Sequence, residues 1–157
     1  MKLSLIAIGK TDDSYLKEGI AHYAMRLKRY LTLEIIELPG LKNAGSLGKE
    51  QYKAKEAEML FAKWPKADIV CLLDENGKSY TSVEFAEYLQ ASTLRGKSHL
   101  AFIIGGPYGF TKEAEARADH KISLSKMTFN HQMVRLFFVE QVYRAMSILN
   151  KEPYHNE

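Results

Sequence analysis

Apolar residues follow two alternating rhythms along this chain. Runs at residues 3–8, 32–38, 68–73 and 99–104 are too short for helices and stop at turn-forming residues, which predicts buried strands. Between them the spacing turns helical. Leu16, Ile20, Tyr23, Leu27 and Tyr30 recur at steps of four and three, one buried helical face. Residues 49–63 are rich in Ala, Glu and Lys and end at Trp64-Pro65, where proline disfavours helical geometry in the residue before it. Thr81 and Glu84 have capping-box spacing for a third helix, with Phe85 and Leu89 one turn apart and an end near Arg95-Gly96. A fourth helix starts at Thr111, with Glu113 and Glu115 suited to the positive end of its dipole. Residues 122–124 predict a short fifth strand, residues 132–149 a last helix, and residues 41–48 a loop. Strands alternating with helices predict an α/β fold: a mainly parallel sheet with helices on both faces, in a single domain over residues 1–157.

The strand at 99–104 empties into Gly105-Gly106-Pro107-Tyr108-Gly109. Ligands of open α/β sheets collect beyond the carboxyl ends of the strands, and adjacent glycines let backbone approach them closely. Taken alone, this is equally an ordinary strand-to-helix turn. The polar loop from Ser123 to Arg135 is a second candidate wall. Its Ser125 and Thr128 can hydrogen-bond a ligand, while Met127 and Phe129 offer apolar contact to a flat ring.

The last helix is apolar on most sides, more than one small domain readily covers, so a homodimer is expected. Glu140, Gln141, Arg144 and Ser147 share its polar face. The Glu140 and Arg144 pair is either a solvent-facing ion pair or part of an active site. The tail that follows, with Tyr154 and His155 after Pro153, is either frayed or functional.

Composition narrows the function. At 157 residues and 46% hydrophobic, the chain can bury a substantial core, and its single Cys71 lies in an apolar run, which excludes a disulfide scaffold. The formal charge of +3 permits an anionic partner without demanding one; the cluster Arg26, Lys28 and Arg29 reads as a helix's solvated face or as a basic patch. The chain opens on strand-like sequence with no cleavage site, and no apolar run reaches membrane-spanning length, so a cytoplasmic protein with no membrane partner is expected. Gly9-Lys10-Thr11, Gly77-Lys78-Ser79 and Gly96-Lys97-Ser98 mimic the end of a phosphate-binding loop. The earlier glycine that loop requires is replaced by Ser4, Leu72 and Ala91. The glycine spacing at 105–109 also misses the dinucleotide fingerprint, and the five histidines show no metal-ligand spacing, so no metal is expected.

Four ordered motifs now stand together: Gly105-Gly106-Pro107-Tyr108-Gly109, Ser125-Lys-Met-Thr-Phe-Asn-His-Gln-Met-Val-Arg135, Glu140-Gln-Val-Tyr-Arg-Ala145 and Pro153-Tyr154-His155. With the Met1-Lys2-Leu3 opening and Gly9-Lys10, they closely resemble the RlmH family of SPOUT-class methyltransferases. The resemblance implies S-adenosylmethionine as methyl donor, N3 of a pseudouridine in 23S ribosomal RNA as acceptor, and a homodimer with a C-terminal trefoil knot. It places cofactor contacts on Leu73, Gly105, Leu124, Ser125, Lys126, Met127, Thr128 and Phe129, and catalytic roles on Glu140, Arg144, Tyr154 and His155. Two positions depart: Asn130 stands where proline is expected, and Asn156 where some relatives carry a basic residue. Methylation of another ribosomal or transfer RNA position, and a non-catalytic ribosome-binding or assembly factor, are the competing readings.

Overall fold

The computed structural model describes residues 1–156. Five strands, β1 (Lys2–Ile8), β2 (Thr32–Leu38), β3 (Ile69–Ser79), β4 (His99–Ile104) and β5 (His120–Ser123), form one sheet. Their order is β2-β1-β4-β3-β5, and every neighbouring pair is parallel. Parallel strands require crossovers, supplied by helices α1 (Ser14–Leu27), α2 (Lys49–Ala62), α3 (Ser82–Leu94) and α4 (Lys112–Arg117); a last helix, α5 (Met133–Leu149), follows β5.

Both faces of the sheet are covered, which is why β1 and β4 are apolar without alternation. Leu3, Leu5, Ala7, Leu100 and Phe102 point to one side, where the Phe138 ring of α5 packs at a tilt with its centroid 4.7 Å from that of Phe102. Ile6, Ala101 and Ile103 point to the other, against Leu60 of α2 and Ala114 of α4. Each large apolar side chain buried this way contributes about 1.5–3 kcal/mol. Helix α5 packs against both α1 and α3.

The predicted elements recur with local corrections. Thr81 accepts from Glu84 N while Glu84 accepts from Thr81 N, so the predicted capping box is formed. Helix α1 ends at Leu27, leaving Lys28 as its cap and Arg29 and Tyr30 beyond it. The loop at 41–48 contains a short 3-10 turn, Ala44–Ser46. Strand β5 starts two residues earlier than expected.

The largest difference is β3, which runs on through Asp74-Glu75-Asn76-Gly77-Lys78, where a turn was expected. Leu73 and Lys78 both pair with Ile122, so the intervening residues bulge out of the ladder, and the Asp74 carboxylate accepts from Asn76 N at 2.8 Å within the bulge. Gly77 presses on β5 there: a Cβ would lie 2.6 Å from the backbone of Lys121 and Ile122. Backbone on both sides cannot yield cheaply. Gly77→Ala is therefore expected to cost about 3 kcal/mol and lower Tm by roughly 5–10 °C in a thermal melt.

Candidate active site

The bulge of β3, the turn after β4 and the segment after β5 enclose a cleft of about 400 Å³. Of the residues expected to contact a cofactor, Leu73, Gly105, Leu124, Ser125, Met127, Thr128 and Phe129 line this cleft, and Lys126 does not. The segment after β5 is shaped by its own side chains. Ser123 donates to Ser125 O at 2.9 Å, and Ser125 Oγ accepts from Met127 N at 3.0 Å. Asn130 Oδ1 accepts from Gln132 N at 2.8 Å and from Met133 N at 3.3 Å, so the asparagine secures the start of α5 by hydrogen bonding where a proline would have fixed φ.

The loop is also anchored to the far side of the sheet. Arg135, at 1% exposure, donates to Thr11 Oγ1 at 2.8 Å, Ile8 O at 3.0 Å, His131 O at 3.2 Å and Glu37 at 3.3 Å. Burial pulls its pKa below the ordinary arginine value, against the pull of Glu37. Gln132 adds a contact by accepting from Asp12 N at 2.7 Å. Thus the ends of β1 and β2 hold the loop that walls the cleft.

Other wall residues were missed from sequence. Asp74 and Glu75 follow directly from the end of the apolar part of β3, a position the strand-end rule could have flagged. Thr128 donates to Glu75 at 3.0 Å, linking the bulge of β3 to the segment after β5. His131 lies within the predicted wall from Ser123 to Arg135 without having been singled out, whereas Lys49 carried no local signal and is brought by the fold from the start of α2. Tyr108 of the glycine turn packs edge-on against Tyr52 of α2, ring centroids 5.2 Å apart.

The four expected catalytic residues form a second constellation. Glu140 Oε1 accepts from Arg144 at 2.6 Å and from the Tyr154 hydroxyl at 2.9 Å, while Oε2 accepts from Gln141 at 2.7 Å. The Arg144 guanidinium lies 4.8 Å from the Tyr154 ring centroid and 3.3 Å from His155 Nδ1. Arginine can only donate, so this contact assigns the imidazole proton to Nε2. On the other side of Tyr154 stand Tyr23, 3.1 Å away between hydroxyls, and Arg26, whose guanidinium covers the Tyr143 ring at 4.1 Å. Burial, followed by bonds to Tyr23 and Glu140, raises the Tyr154 pKa and keeps it a phenol. The tail is folded back rather than frayed. Ser147 departs from the expected polar face: it is buried and donates to Arg144 O at 2.7 Å.

These residues do not line the cleft of their own chain. Arg144 lies ten residues along α5 from the cleft-lining Val134, about 15 Å at the helical rise. Phe129, Met133 and Phe137 stay exposed near the cleft, with the Phe129 and Phe137 rings 4.9 Å apart.

The parallel five-stranded α/β sheet thus carries a glycine-walled cleft, closed by the loop before a long last helix. A family model described as "Predicted SPOUT methyltransferase" matches residues 1–155. Among curated proteins, the chain is 51% identical over 156 residues to ribosomal RNA large subunit methyltransferase H of Christiangramia forsetii, with 99% of each chain covered. It is 48% identical to the protein of that name from Parabacteroides distasonis, with 100% of each covered. Among solved structures, a methylase family protein from Haemophilus influenzae Rd KW20 has the same fold, with TM-score 0.54 at 16% identity over 99% of this chain and 70% of that one. The chain belongs to the ribosomal RNA large subunit methyltransferase H family of SPOUT methyltransferases.

Proposed function

We propose that the chain is a single-domain, S-adenosylmethionine-dependent methyltransferase of large-subunit ribosomal RNA, with N3 of a pseudouridine in 23S RNA as the acceptor. The observation that carries this reading is the convergence of the glycine turn and the loop after β5 on one cleft, beside the family membership. The cleft fits the donor: its volume falls in the range of small-molecule sites, it mixes apolar Met127 and Phe129 with backbone amides, and Asp74 and Glu75 suit a cation. When bound, the donor supplies a methyl group on a sulfonium.

The protein's task is then alignment and charge. Arg144 stabilises the negative charge that develops as the imide N3 loses its proton, and His155 accepts that proton at Nδ1 when the substrate replaces the Arg144 contact there. Glu140, whose oxygens already accept three bonds, positions Arg144 and Tyr154. Tyr154 offers a ring for stacking with the target base. One chain keeps this constellation away from its own cleft, and exposed Phe129, Met133 and Phe137 give an apolar surface beside it. Both features support a homodimer in which the tail of one protomer meets the cleft of its partner. No helix among residues 1–156 is long and apolar enough to cross a membrane. A ribosomal substrate supports a cytoplasmic location.

The test is incubation with ribosomes and labelled donor, followed by nucleoside mass spectrometry. N3-methylpseudouridine in 23S RNA is the expected product, and RNA without label would reject the reading. Donor binding has its own check. A Cβ at Gly105 would lie 3.0–3.3 Å from the Phe110 ring, so Gly105→Val must push that ring or the turn into the cleft. Calorimetry should show donor affinity reduced at least about tenfold.

A further inference from the structure

Glu56 plays no part in the chemistry above. It sits within α2 at 4% exposure, and neither carboxylate oxygen has a hydrogen-bond partner among the described residues. A carboxylate buried without partners is costly, and one that persists calls for a reason.

Its surroundings supply one. The carboxyl group abuts the backbone of Gly106, where a Cβ would fall 2.0–2.4 Å from its atoms. Beside it is a void of about 10 Å³, room for at most one water. Gly105, Gly106, Gly109 and Phe110 line that void and also the donor cleft. A wall largely of glycine backbone therefore separates a buried acid from the cleft, and no side chain of Gly105 or Gly106 screens it. Few charges compete. On α2 itself the neighbours are Tyr52 and Lys53, Lys53 makes no ion pair with it, and Lys49 two turns away lines the cleft in both wild type and variant. The turn presents Tyr108, β3 presents Asp74 over Gly109, and β1 and α4 present only Ile8 and Ala114.

Methyl transfer changes the charge of the molecule in the cleft. The carbon–sulfur bond breaks, its electron pair stays on sulfur, and the cationic sulfonium becomes a neutral thioether. We propose that Glu56 is a specificity-determining residue that distinguishes donor from spent product: its carboxylate, acting through the Gly105-Gly106 wall, favours a positive charge in the cleft. This rests on the reading of the cleft as the donor site.

A linkage follows, with a definite sign. Burial raises the Glu56 pKa to about 7 in the free protein. A cation in the cleft favours the ionised form and lowers that value, so binding the donor expels a proton. Donor affinity then rises with pH up to about 7 and levels off above it, while affinity for the neutral product gains nothing from Glu56.

Calorimetry with S-adenosylmethionine and S-adenosylhomocysteine, on wild type and Glu56→Gln, in buffers of different ionisation enthalpy, tests this. His131 also lines the cleft, but it is common to both proteins and cancels in the comparison. Glu56→Gln is expected to cut the preference for donor over product by about three- to tenfold, tenfold being one pKa unit, and to abolish proton release on donor binding near pH 6.5. Glu56→Asp keeps the charge and should keep much of the preference. Equal losses for both ligands, or unchanged preference and proton release, would overturn the proposal and mark Glu56 as a packing residue. Should Glu56→Gln fail to fold, carboxyl-carbon NMR of the wild type decides: a Glu56 pKa that does not fall on adding donor refutes it. A wild type that binds neither ligand refutes the donor site itself, a separate outcome.

Discussion

Arg135→Met is expected to destabilise the protein by about 3–5 kcal/mol, measured as a shift in the midpoint of chemical denaturation, and to lower Tm by roughly 10 °C. The side chain is fully enclosed and satisfies four acceptors on three segments: Ile8 O, Thr11 Oγ1, Glu37 and His131 O. Methionine fills similar volume, so cavity formation contributes little and the loss isolates the polar network. Glu37 is a third exposed and keeps its bonds from Thr11 at 2.6 and 2.9 Å, so solvent relieves part of its charge. The carbonyls of Ile8 and His131 lose their bonds to the guanidinium, and a buried acceptor left unpaired is penalised. Arg135→Lys restores charge but cannot span four acceptors, and should recover no more than about half of the loss. Because the same guanidinium holds His131, donor affinity should weaken in both variants. A destabilisation below about 1 kcal/mol would show that the network adds nothing beyond packing.

Arg135 also shows where sequence reading stops. At the start of an apolar helix it reads as an ordinary polar residue, because its acceptors at Ile8, Thr11 and Glu37 lie 127, 124 and 98 residues away. Where structure follows from neighbours in the chain, the pattern was legible. Strands β2 and β4 occupy the expected residues, and the Thr81 capping box forms. The glycine turn and the loop after β5 were recognisable as walls for the same reason, since each carries its conformation in its own residues. The bulge in β3 was not, because Asp-Glu-Asn-Gly has turn composition and only pairing with β5 extends it into strand. Nor was the order β2-β1-β4-β3-β5, which depends on how crossovers stack. Glu56 was hidden by helical composition: among the Ala, Glu and Lys of α2, nothing marks the one glutamate that faces the glycine turn.

Arg144→Ala is expected to lower the rate of RNA methylation by about 100- to 1000-fold, the usual effect of removing a preorganised group that stabilises developing charge. Donor affinity should stay within about twofold, because Arg144 is assigned to the acceptor base and forms no wall of the cleft, and the proposed dimer should persist in sedimentation. A structural explanation makes a different forecast. The guanidinium bridges Glu140, His155 and the Tyr154 ring, so its loss also loosens the tail. Two companions separate the effects. Tyr154→Phe removes the hydroxyl bonds to Glu140 and Tyr23 but keeps the ring, and should cost only a few-fold in rate. Glu140→Gln keeps an acceptor for Arg144 and Tyr154 while removing charge, and should also be mild if Glu140 only positions its neighbours. Should Tyr154→Phe or Glu140→Gln prove as damaging as Arg144→Ala, the constellation acts as a scaffold and the guanidinium has no special role. Near-wild-type turnover in Arg144→Ala would remove it from the chemistry altogether. The predicted split, an intact donor site beside a collapsed rate, is what the proposed dimer requires, since it would bring together two constellations that one chain keeps apart.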